Sequence, residues 1–143
     1  LALLDRLDPD REPGRITLIT RMGHQGIAEA LPRLVRAVKA AGRTVVWSCD
    51  PMHGNTVTVQ GKKTRDFLQI TSELEQAFAI HRAEGSVLGG VHFELTGDNV
   101  TECVGGAEGL GPLDLARSYE TGCDPRLNYT QSLEMAFAMT RLL

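Results

Sequence analysis

Four short polar segments carry the side chains of this chain that could do chemistry. Each follows a short apolar run, and the four are 21–23 (RMG), 50–55 (DPMHGN), 92–94 (HFE) and 123–126 (CDPR). Three of them begin at the end of a predicted strand or just beyond it. Active sites of parallel α/β proteins are built at the carboxyl ends of strands. An imidazole, two carboxylates and a guanidinium that meet there could hold a divalent metal ion and a small phosphorylated or carboxylate anion.

Three of these residues, His53, Glu94 and Asp124, are predicted metal ligands and catalytic residues. A neutral imidazole is a good ligand for Mn, Fe, Co or Zn, although a loop histidine bonded to backbone is the alternative for His53. Glu94 is predicted within a strand, where a carboxylate is unusual unless it is paired, bound to metal or facing water. Asp124 precedes Pro125, which favours an extended backbone, and a turn-forming role competes with metal binding. The coincidence of the three at strand ends favours a shared ion.

Arg21 is the predicted substrate-binding residue. A guanidinium that leaves a strand end is suited to clamp a carboxylate or a phosphate, and a plain surface arginine is the alternative. Asp50 either orients the His53 ring or only shapes the turn. Cys123 adjoins Asp124, but neighbours on an extended chain point apart, so the thiol is not favoured as a ligand. Weaker candidates are His92, Glu102 and Arg126.

Composition bounds the class of protein. The chain has 143 residues, of which 42% are hydrophobic, and it fits one globular domain over residues 1–143. A net charge of −3 gives no footprint for nucleic acid, and the basic run at 62–65 is predicted to be a solvated loop. No apolar run approaches the ~20 residues of a membrane span. Three cysteines at no zinc-binding spacing favour a reduced, cytoplasmic setting.

The elements that must position these side chains alternate between strand and helix. Apolar, β-branched runs predict strands at 16–20, 44–47 and 90–95, after a leading loop at 1–14. A helical stripe over 31–38 places Pro32 in a first turn and stops at Gly42. A second stripe over 67–78 closes at Gly85, and a short helical pattern spans 113–119.

A last helix is predicted after Asn128, which with Gln131 forms a capping box. Its core stripe is predicted to be Leu133, Ala136 and Phe137. Strands that alternate with helices imply parallel β-α-β units with right-handed crossovers, hence an α/β fold. A three-stranded parallel sheet leaves two open edges, so we expect assembly with another copy, with another chain or with a missing N-terminal part.

Several motifs resemble the C-terminal part of the class II (plant-type) 3-deoxy-D-arabino-heptulosonate 7-phosphate (DAHP) synthases. The resemblance runs in order over nearly the whole chain. The matching segments are RMG at 21–23, CDPMHGNT at 49–56, KTR at 63–65, GGVHFELTG at 89–97, NVTEC at 99–103 and CDPRLN at 123–128. The DPMHGN and CDPRLN segments are the most specific of these.

The resemblance implies a (β/α)8 barrel, of which this chain would form a partial barrel of about three β-α units. It implies a metal-dependent transferase that joins phosphoenolpyruvate to erythrose 4-phosphate, the first step of the shikimate pathway to aromatic amino acids. A divalent ion such as Mn, Co or Zn would be held by a Cys, a His, a Glu and an Asp. By motif the last three are His53, Glu94 and Asp124, and Arg21 matches an arginine that binds phosphoenolpyruvate.

The chain also departs from the family pattern. The metal-binding cysteine of the family lies upstream of anything in this sequence, as do a lysine and several arginines that bind phosphates. Cys49, Cys103 and Cys123 do not match that cysteine motif. Three hypotheses stay open. The chain is a C-terminal segment or split subunit of a synthase, or a stand-alone short homologue that keeps the metal site but catalyses another aldol, lyase, cyclisation or dehydration step, or a non-catalytic remnant that binds a partner or ligand.

Overall fold

A computed structural model describes residues 1–143 and contains four α-helices and five β-strands. In chain order they are α1 Ala2–Leu7, β1 Thr17–Thr20, α2 Ile27–Ala40, β2 Val46–Cys49, β3 Thr56–Val59, β4 Lys62–Arg65, α3 Phe67–Ala83, β5 Leu88–Val91 and α4 Tyr129–Thr140. Short 3-10 helices lie at His53–Asn55 and Pro112–Ala116. None of the helices combines the length and the apolar character needed to cross a lipid bilayer.

The three strands β1, β2 and β5 form a parallel sheet with β2 in the centre. Their last residues, Thr20, Cys49 and Val91, are paired in register, so the strands end level with one another. The α/β prediction with parallel strands is therefore confirmed. The segments that follow the three strands leave the sheet at one edge, where ligands bind in folds of this kind.

One face of this sheet packs against α2 and α3. The buried stripe of α2 includes Leu31, Val35 and Val38, as its spacing predicted, and it contacts Trp47 of β2. The helix begins earlier than expected, so the prediction that Pro32 lies in its first turn is wrong and the proline lies inside the helix. The reason is a turn before the helix, in which the Gly23 carbonyl accepts the Gly26 and Ile27 N–H groups and starts the helical ladder.

A second core lies between α3, α4 and the loops that connect them. Its buried members are Met52, Phe67, Ile70, Leu74, Cys103, Leu127 and Met135. The capping box of α4 is confirmed, since Asn128 and Gln131 exchange side-chain to backbone hydrogen bonds of 2.9 and 3.2 Å. The predicted core stripe of this helix is wrong, because Phe137 is 65% exposed and Leu133 is 44% exposed.

The opposite face of α4 is buried because of one polar residue. The Gln131 amide donates to the carbonyls of Cys103 and Gly105, at 3.1 and 3.2 Å, and so turns its own face inward. Met135 follows on that face and enters the core. The hydrogen bonds of a buried glutamine thus decide which of two partly apolar faces packs.

The observed elements differ from the sequence-based predictions in four further places. The second strand is 46–49 instead of 44–47, and the third is 88–91 instead of 90–95. A short helix occupies part of the predicted leading loop, and the helical pattern at 113–119 is a 3-10 helix at Pro112–Ala116.

The basic run at 62–65 is strand β4 and not a solvated loop. It pairs with β3 in an antiparallel hairpin whose turn is Gln60 and Gly61, at φ values of 50° and 78°. Positive φ at both turn positions matches the two-residue hairpin turns that follow the natural twist of the strands.

Candidate metal centre

The structure brings His53, Glu94 and Asp124 together at the carboxyl edge of the parallel sheet. One ligand atom from each lies within 4.8 Å of the other two. His53 Nε2 is 3.4 Å from Glu94 Oε1 and 4.0 Å from Asp124 Oδ2. Atoms that share one ion at about 2.0–2.2 Å lie roughly 3–3.5 Å apart, so a small inward shift would complete such a site. The three side chains are 27%, 26% and 23% exposed, which leaves the centre open to an ion.

His53 is oriented by the turn that follows β2. The fully buried Asp50 carboxylate accepts the backbone N–H groups of Met52 and His53, each at 3.1 Å, through Oδ1. Its other oxygen lies 2.7 Å from His53 Nδ1. Nδ1 therefore carries the ring proton, and the Nε2 lone pair faces Glu94 and Asp124. Asp50 thus both shapes the turn and contacts the His53 ring, the two roles that the sequence left open.

Glu94 lies beyond β5 and not within it, so that part of the prediction is wrong. After Val91 the chain leaves the sheet and forms a new bridge. The Glu94 carbonyl accepts the Leu127 N–H at 3.0 Å, and the Thr96 N–H donates to the Leu127 carbonyl at 2.9 Å. This parallel bridge holds Glu94 beside the segment that carries Asp124, which is why ligands distant in sequence become neighbours.

Two basic residues of β4 hold the outer oxygens of the two carboxylates. The Arg65 guanidinium forms a salt bridge with Glu94 Oε2, and Lys63 Nζ lies 3.1 Å from Asp124 Oδ1. The hydrogen bond from Lys63 holds the pKa of Asp124 below its usual value, so this carboxylate is ionised at neutral pH. Each ligand residue thus has one atom bound by a supporting side chain and one atom turned toward the centre.

Arg21, the predicted substrate clamp, lies at the margin of the same network. Its Nε is 2.9 Å from Asp50 Oδ2, the oxygen that also contacts His53. The Arg21 side chain is 52% exposed, and two guanidinium nitrogens lie outside this ion pair. Asp50 therefore links His53 to the Arg21 guanidinium, whose two other nitrogens could bind an anion.

The weaker candidates divide into one neighbour and one structural pair. The ring centroid of exposed His92 lies 6.2 Å from that of His53. Arg126 and the fully buried Glu102 form two side-chain hydrogen bonds of 3.0 and 2.7 Å. Burial works to raise the pKa of Glu102, but the hydrogen bonds from Arg126 outweigh it and hold the pKa below the usual value. This pair anchors the segment after Asp124.

Two of the three cysteines do not offer a ready metal ligand. Cys49 and Cys103 are buried, and burial raises the pKa of each thiol to about 12, which disfavours the thiolate that binds metals. Cys123 is exposed, and its Sγ lies 3.5 Å from Asp124 Oδ2.

Sequence reasoning missed Glu73, which locks the loops that carry Arg21 and His53. This fully buried carboxylate accepts the N–H groups of Met22 and Gly23, each at 3.0 Å, and the Asn55 amide at 2.7 Å. Burial raises its pKa. The available signal was a glutamate on the apolar stripe of α3.

The same two loops touch through glycines. Gly23 has a φ of 75°, and a Cβ added at Gly54 would lie 2.4 Å from the backbone nitrogen of Gly23. A side chain at Gly54 would therefore force the two loops apart.

The donor set of this centre suits a divalent transition ion. One imidazole nitrogen and two carboxylate oxygens are a donor set that binds Mn, Fe, Co or Zn, and one such atom of each residue lies within 4.8 Å of the other two. Beside them is an open cavity of about 350 Å³, whose walls include Glu94, Asp124 and Arg126. A cavity of that volume accommodates a small ligand next to the ion.

Comparison with known proteins agrees with this chemistry. A profile of the Class-II DAHP synthetase family matches residues 1–140. Three similar proteins are named phospho-2-dehydro-3-deoxyheptonate aldolase. They come from Mycolicibacterium smegmatis (52% identical over 98% of this chain), Neurospora crassa (56% over 96%) and Streptomyces coelicolor (51% over 99%). The chain spans 30%, 29% and 32% of the lengths of these relatives.

Proposed function

This chain belongs to the Class-II DAHP synthetase family, and we propose that it forms the metal-binding part of a DAHP synthase. The reaction joins phosphoenolpyruvate to erythrose 4-phosphate in the shikimate pathway. The observation that carries the proposal is the convergence of His53 Nε2, Glu94 Oε1 and Asp124 Oδ2 from three separate segments. Relatives named as the aldolase match this chain over almost its whole length.

His53, Glu94 and Asp124 hold one divalent ion in this proposal, with Mn, Co or Zn as the candidates. A bound ion of this kind supplies Lewis-acid polarisation of a carbonyl oxygen. The residues of the chain orient that chemistry: Asp50 keeps the proton of His53 on Nδ1, and the basic partners keep one oxygen of each carboxylate turned inward. Cys49 and Cys103 are poor candidates for a fourth ligand, since burial raises the pKa of both thiols and so disfavours the thiolate.

Arg21 binds the anionic group of phosphoenolpyruvate. Its Nε is held by Asp50, so the guanidinium is fixed at the strand end where an arriving phosphate or carboxylate could take the remaining donors. The same Asp50 oxygen also contacts His53. Asp50 therefore fixes the distance between Arg21, which binds the substrate, and His53, which binds the metal.

Residues 1–143 form one partial-barrel domain that is completed by a second copy or by a complementing N-terminal chain. Two features support this. The strands β1 and β5 are the edge strands of the sheet, and an uncovered edge is a site for further pairing. Ile19 of β1 and Val46 of β2 are 49% and 37% exposed, although residues of parallel sheets are usually covered on both faces.

Metal analysis of the purified protein tests the central part of the proposal. We expect one equivalent of a divalent transition ion in the wild type and its loss in His53→Ala and Glu94→Ala. Glu29→Ala is the matched control, since Glu29 is exposed on α2 and contacts only Arg33. Equal metal in all four proteins, or no metal in the wild type, would refute the site.

Phosphate release tests the reaction. Phosphoenolpyruvate and erythrose 4-phosphate are supplied with the metal-loaded protein, alone and with an N-terminal chain of a relative. Release that needs both sugar phosphate and metal supports the proposal. A metal-loaded protein that releases no phosphate in either arrangement would contradict it.

A further inference from the structure

Strand β4 carries a buried arginine beside the metal centre that is not itself a ligand. We infer that Arg65 is a positioning residue, which sets the spacing between Glu94 and Asp124 and so determines how tightly the centre binds its ion. The inference rests on the proposed metal site and adds the element that preorganises it.

The side chain of Arg65 joins three parts of the molecule. It is fully buried, its Nε donates to Thr56 Oγ1 at 2.8 Å, and its Nη1 donates both to Glu94 Oε2 and to the carbonyl of Pro125. Pro125 directly follows Asp124. One guanidinium therefore connects the hairpin to both acidic segments: its Nη1 bridges the two segments directly, while its buried Nη2 has no hydrogen-bond partner.

The backbone of Arg65 is held as firmly as its side chain. In the hairpin Arg65 pairs with Thr56, the residue that also accepts its Nε–H. On the other side, the Arg65 carbonyl accepts the Val104 N–H at 2.9 Å, and the Phe67 N–H donates to the Val104 carbonyl at 3.0 Å. The guanidinium thus projects from a strand end that is fixed on both sides.

The physical need for such a residue comes from charge. Two carboxylates that face one point repel each other while no ion is present, and they would turn away toward solvent. An ion pair on the outer oxygen of Glu94 opposes that movement and leaves the inner oxygen free. A site held in its binding geometry binds its ion more tightly than one that must first be assembled.

Lys63 makes a contact of the same sign but is not given this role. Its side chain is 53% exposed and reaches only Asp124, whereas Arg65 is buried and reaches both acidic segments. Exposed pairs of long side chains hold geometry weakly. Lys63 therefore serves as a comparison on the same strand.

A simple charge effect and a positioning effect have opposite signs here. A cation next to a metal site repels the ion, so its removal strengthens binding if charge is all that Arg65 supplies. Loss of a supporting contact outside the ligands weakens binding by about 10- to 100-fold if Arg65 holds the ligand geometry. The direction of the change alone distinguishes the two.

The experiment is a calorimetric titration of the purified protein with Co²⁺. We expect Arg65→Met to weaken binding 10- to 100-fold, and Arg65→Lys to recover part of the loss, because an ammonium keeps the charge without the fork. The absorption spectrum of bound Co²⁺ should change in both variants, a readout that a role in folding alone would leave unmoved. Lys62→Met is the control, since Lys62 bonds to the Leu115 carbonyl away from the centre.

A second arm uses the variant Glu94→Gln as background. If Arg65 acts through Glu94, Arg65→Met has a smaller effect there than in the wild type. Should Arg65→Met fail to fold, as judged by circular dichroism, Arg65→Lys decides the question. Folded Arg65 variants that bind Co²⁺ as tightly as the wild type, or more tightly, overturn the inference. A wild type that binds no Co²⁺ refutes the proposed metal site instead.

Discussion

Replacement of Asp50 by asparagine is expected to change the protonation of His53, the proposed metal ligand that Asp50 contacts. The carboxylate accepts four N–H groups: the backbone of Met52 and His53, the His53 ring and the Arg21 side chain. An asparagine has one acceptor oxygen. If that oxygen keeps the two backbone bonds, the amide NH₂ faces His53 Nδ1 and forces the ring proton onto Nε2. The lone pair that faces Glu94 and Asp124 is then lost.

The magnitude follows from the contacts that change. Loss of the partner that orients a metal-binding histidine lowers affinity by about 10- to 100-fold, which is about 1.4–2.8 kcal/mol. The loss of folding stability should be smaller, about 1–2 kcal/mol, because the backbone bonds survive and Arg21 is half-exposed. Asp50→Asn should therefore reduce metal affinity more than it reduces the free energy of unfolding.

Calorimetric titration with Co²⁺ measures the affinity, and ¹⁵N NMR of the metal-free protein shows which His53 nitrogen carries the proton. Asp10→Asn is the matched control, because Asp10 is exposed and lies outside the network. An Asp50→Asn protein that binds Co²⁺ like the wild type and keeps its His53 proton on Nδ1 would refute the reasoning.

Three further predictions concern buried polar groups. Arg126→Met should lower the free energy of unfolding by about 3 kcal/mol at pH 7, because it leaves the fully buried Glu102 without a cation and with only its three backbone N–H donors. The hydrogen bonds of Arg126 lower the pKa of Glu102 against the effect of burial, so the pair's contribution is lost as pH falls through that value. Urea titrations with no difference at pH 7, or a difference that grows in acid, would contradict this. In His81→Leu, the free energy of unfolding should fall less steeply as pH drops below 6.5. Burial lowers the pKa of His81 from 6.5, so the folded state favours the neutral ring and the wild type loses stability once the ring is protonated in the unfolded state. An unchanged slope of unfolding free energy against pH would argue against this account. Glu73→Leu leaves three donors without an acceptor and should cost about 3 kcal/mol or more, and a change below about 1 kcal/mol in urea titration would be inconsistent with that account.

The placement of the candidate site at strand ends could be predicted because it depends on local pattern and on one topological rule. Apolar runs marked the first two parallel strands to within two residues, and the third with a carboxyl end four residues too late. Arg21, Asp50 and His92 follow directly after the three strands. Alternation of strands and helices then implied that these ends lie at one edge. Neither step needs knowledge of any particular long-range contact.

The supporting residues could not be predicted, because their environment is made by distant parts of the chain. The basic pattern at 62–65 predicts a solvated segment. Arg65 is instead buried among distant residues that include Glu94 and Pro125. The hairpin turn at Gln60 and Gly61 carries a weaker sequence signal than Asn-Gly.

Which face of α4 is buried could not be predicted for the same reason. Phe137 looks more like a core residue than Gln131 until the carbonyls that bind the glutamine amide are known.

The charges around the centre explain how it can be stable before an ion binds and selective afterwards. Glu94, Asp124 and Asp50 contribute three negative charges, and Arg65, Lys63 and Arg21 contribute three positive charges through direct ion pairs. The cluster is therefore neutral when His53 is neutral, and no acidic group lacks a cation. A divalent ion would add two positive charges to this cluster, which a fourth ligand and an anionic substrate would balance. Phosphorylated or carboxylate substrates meet that requirement, whereas a neutral aldehyde alone does not. In the proposed site, the supporting basic residues would therefore do more than hold the ligands, because they would favour an anionic substrate beside the bound ion.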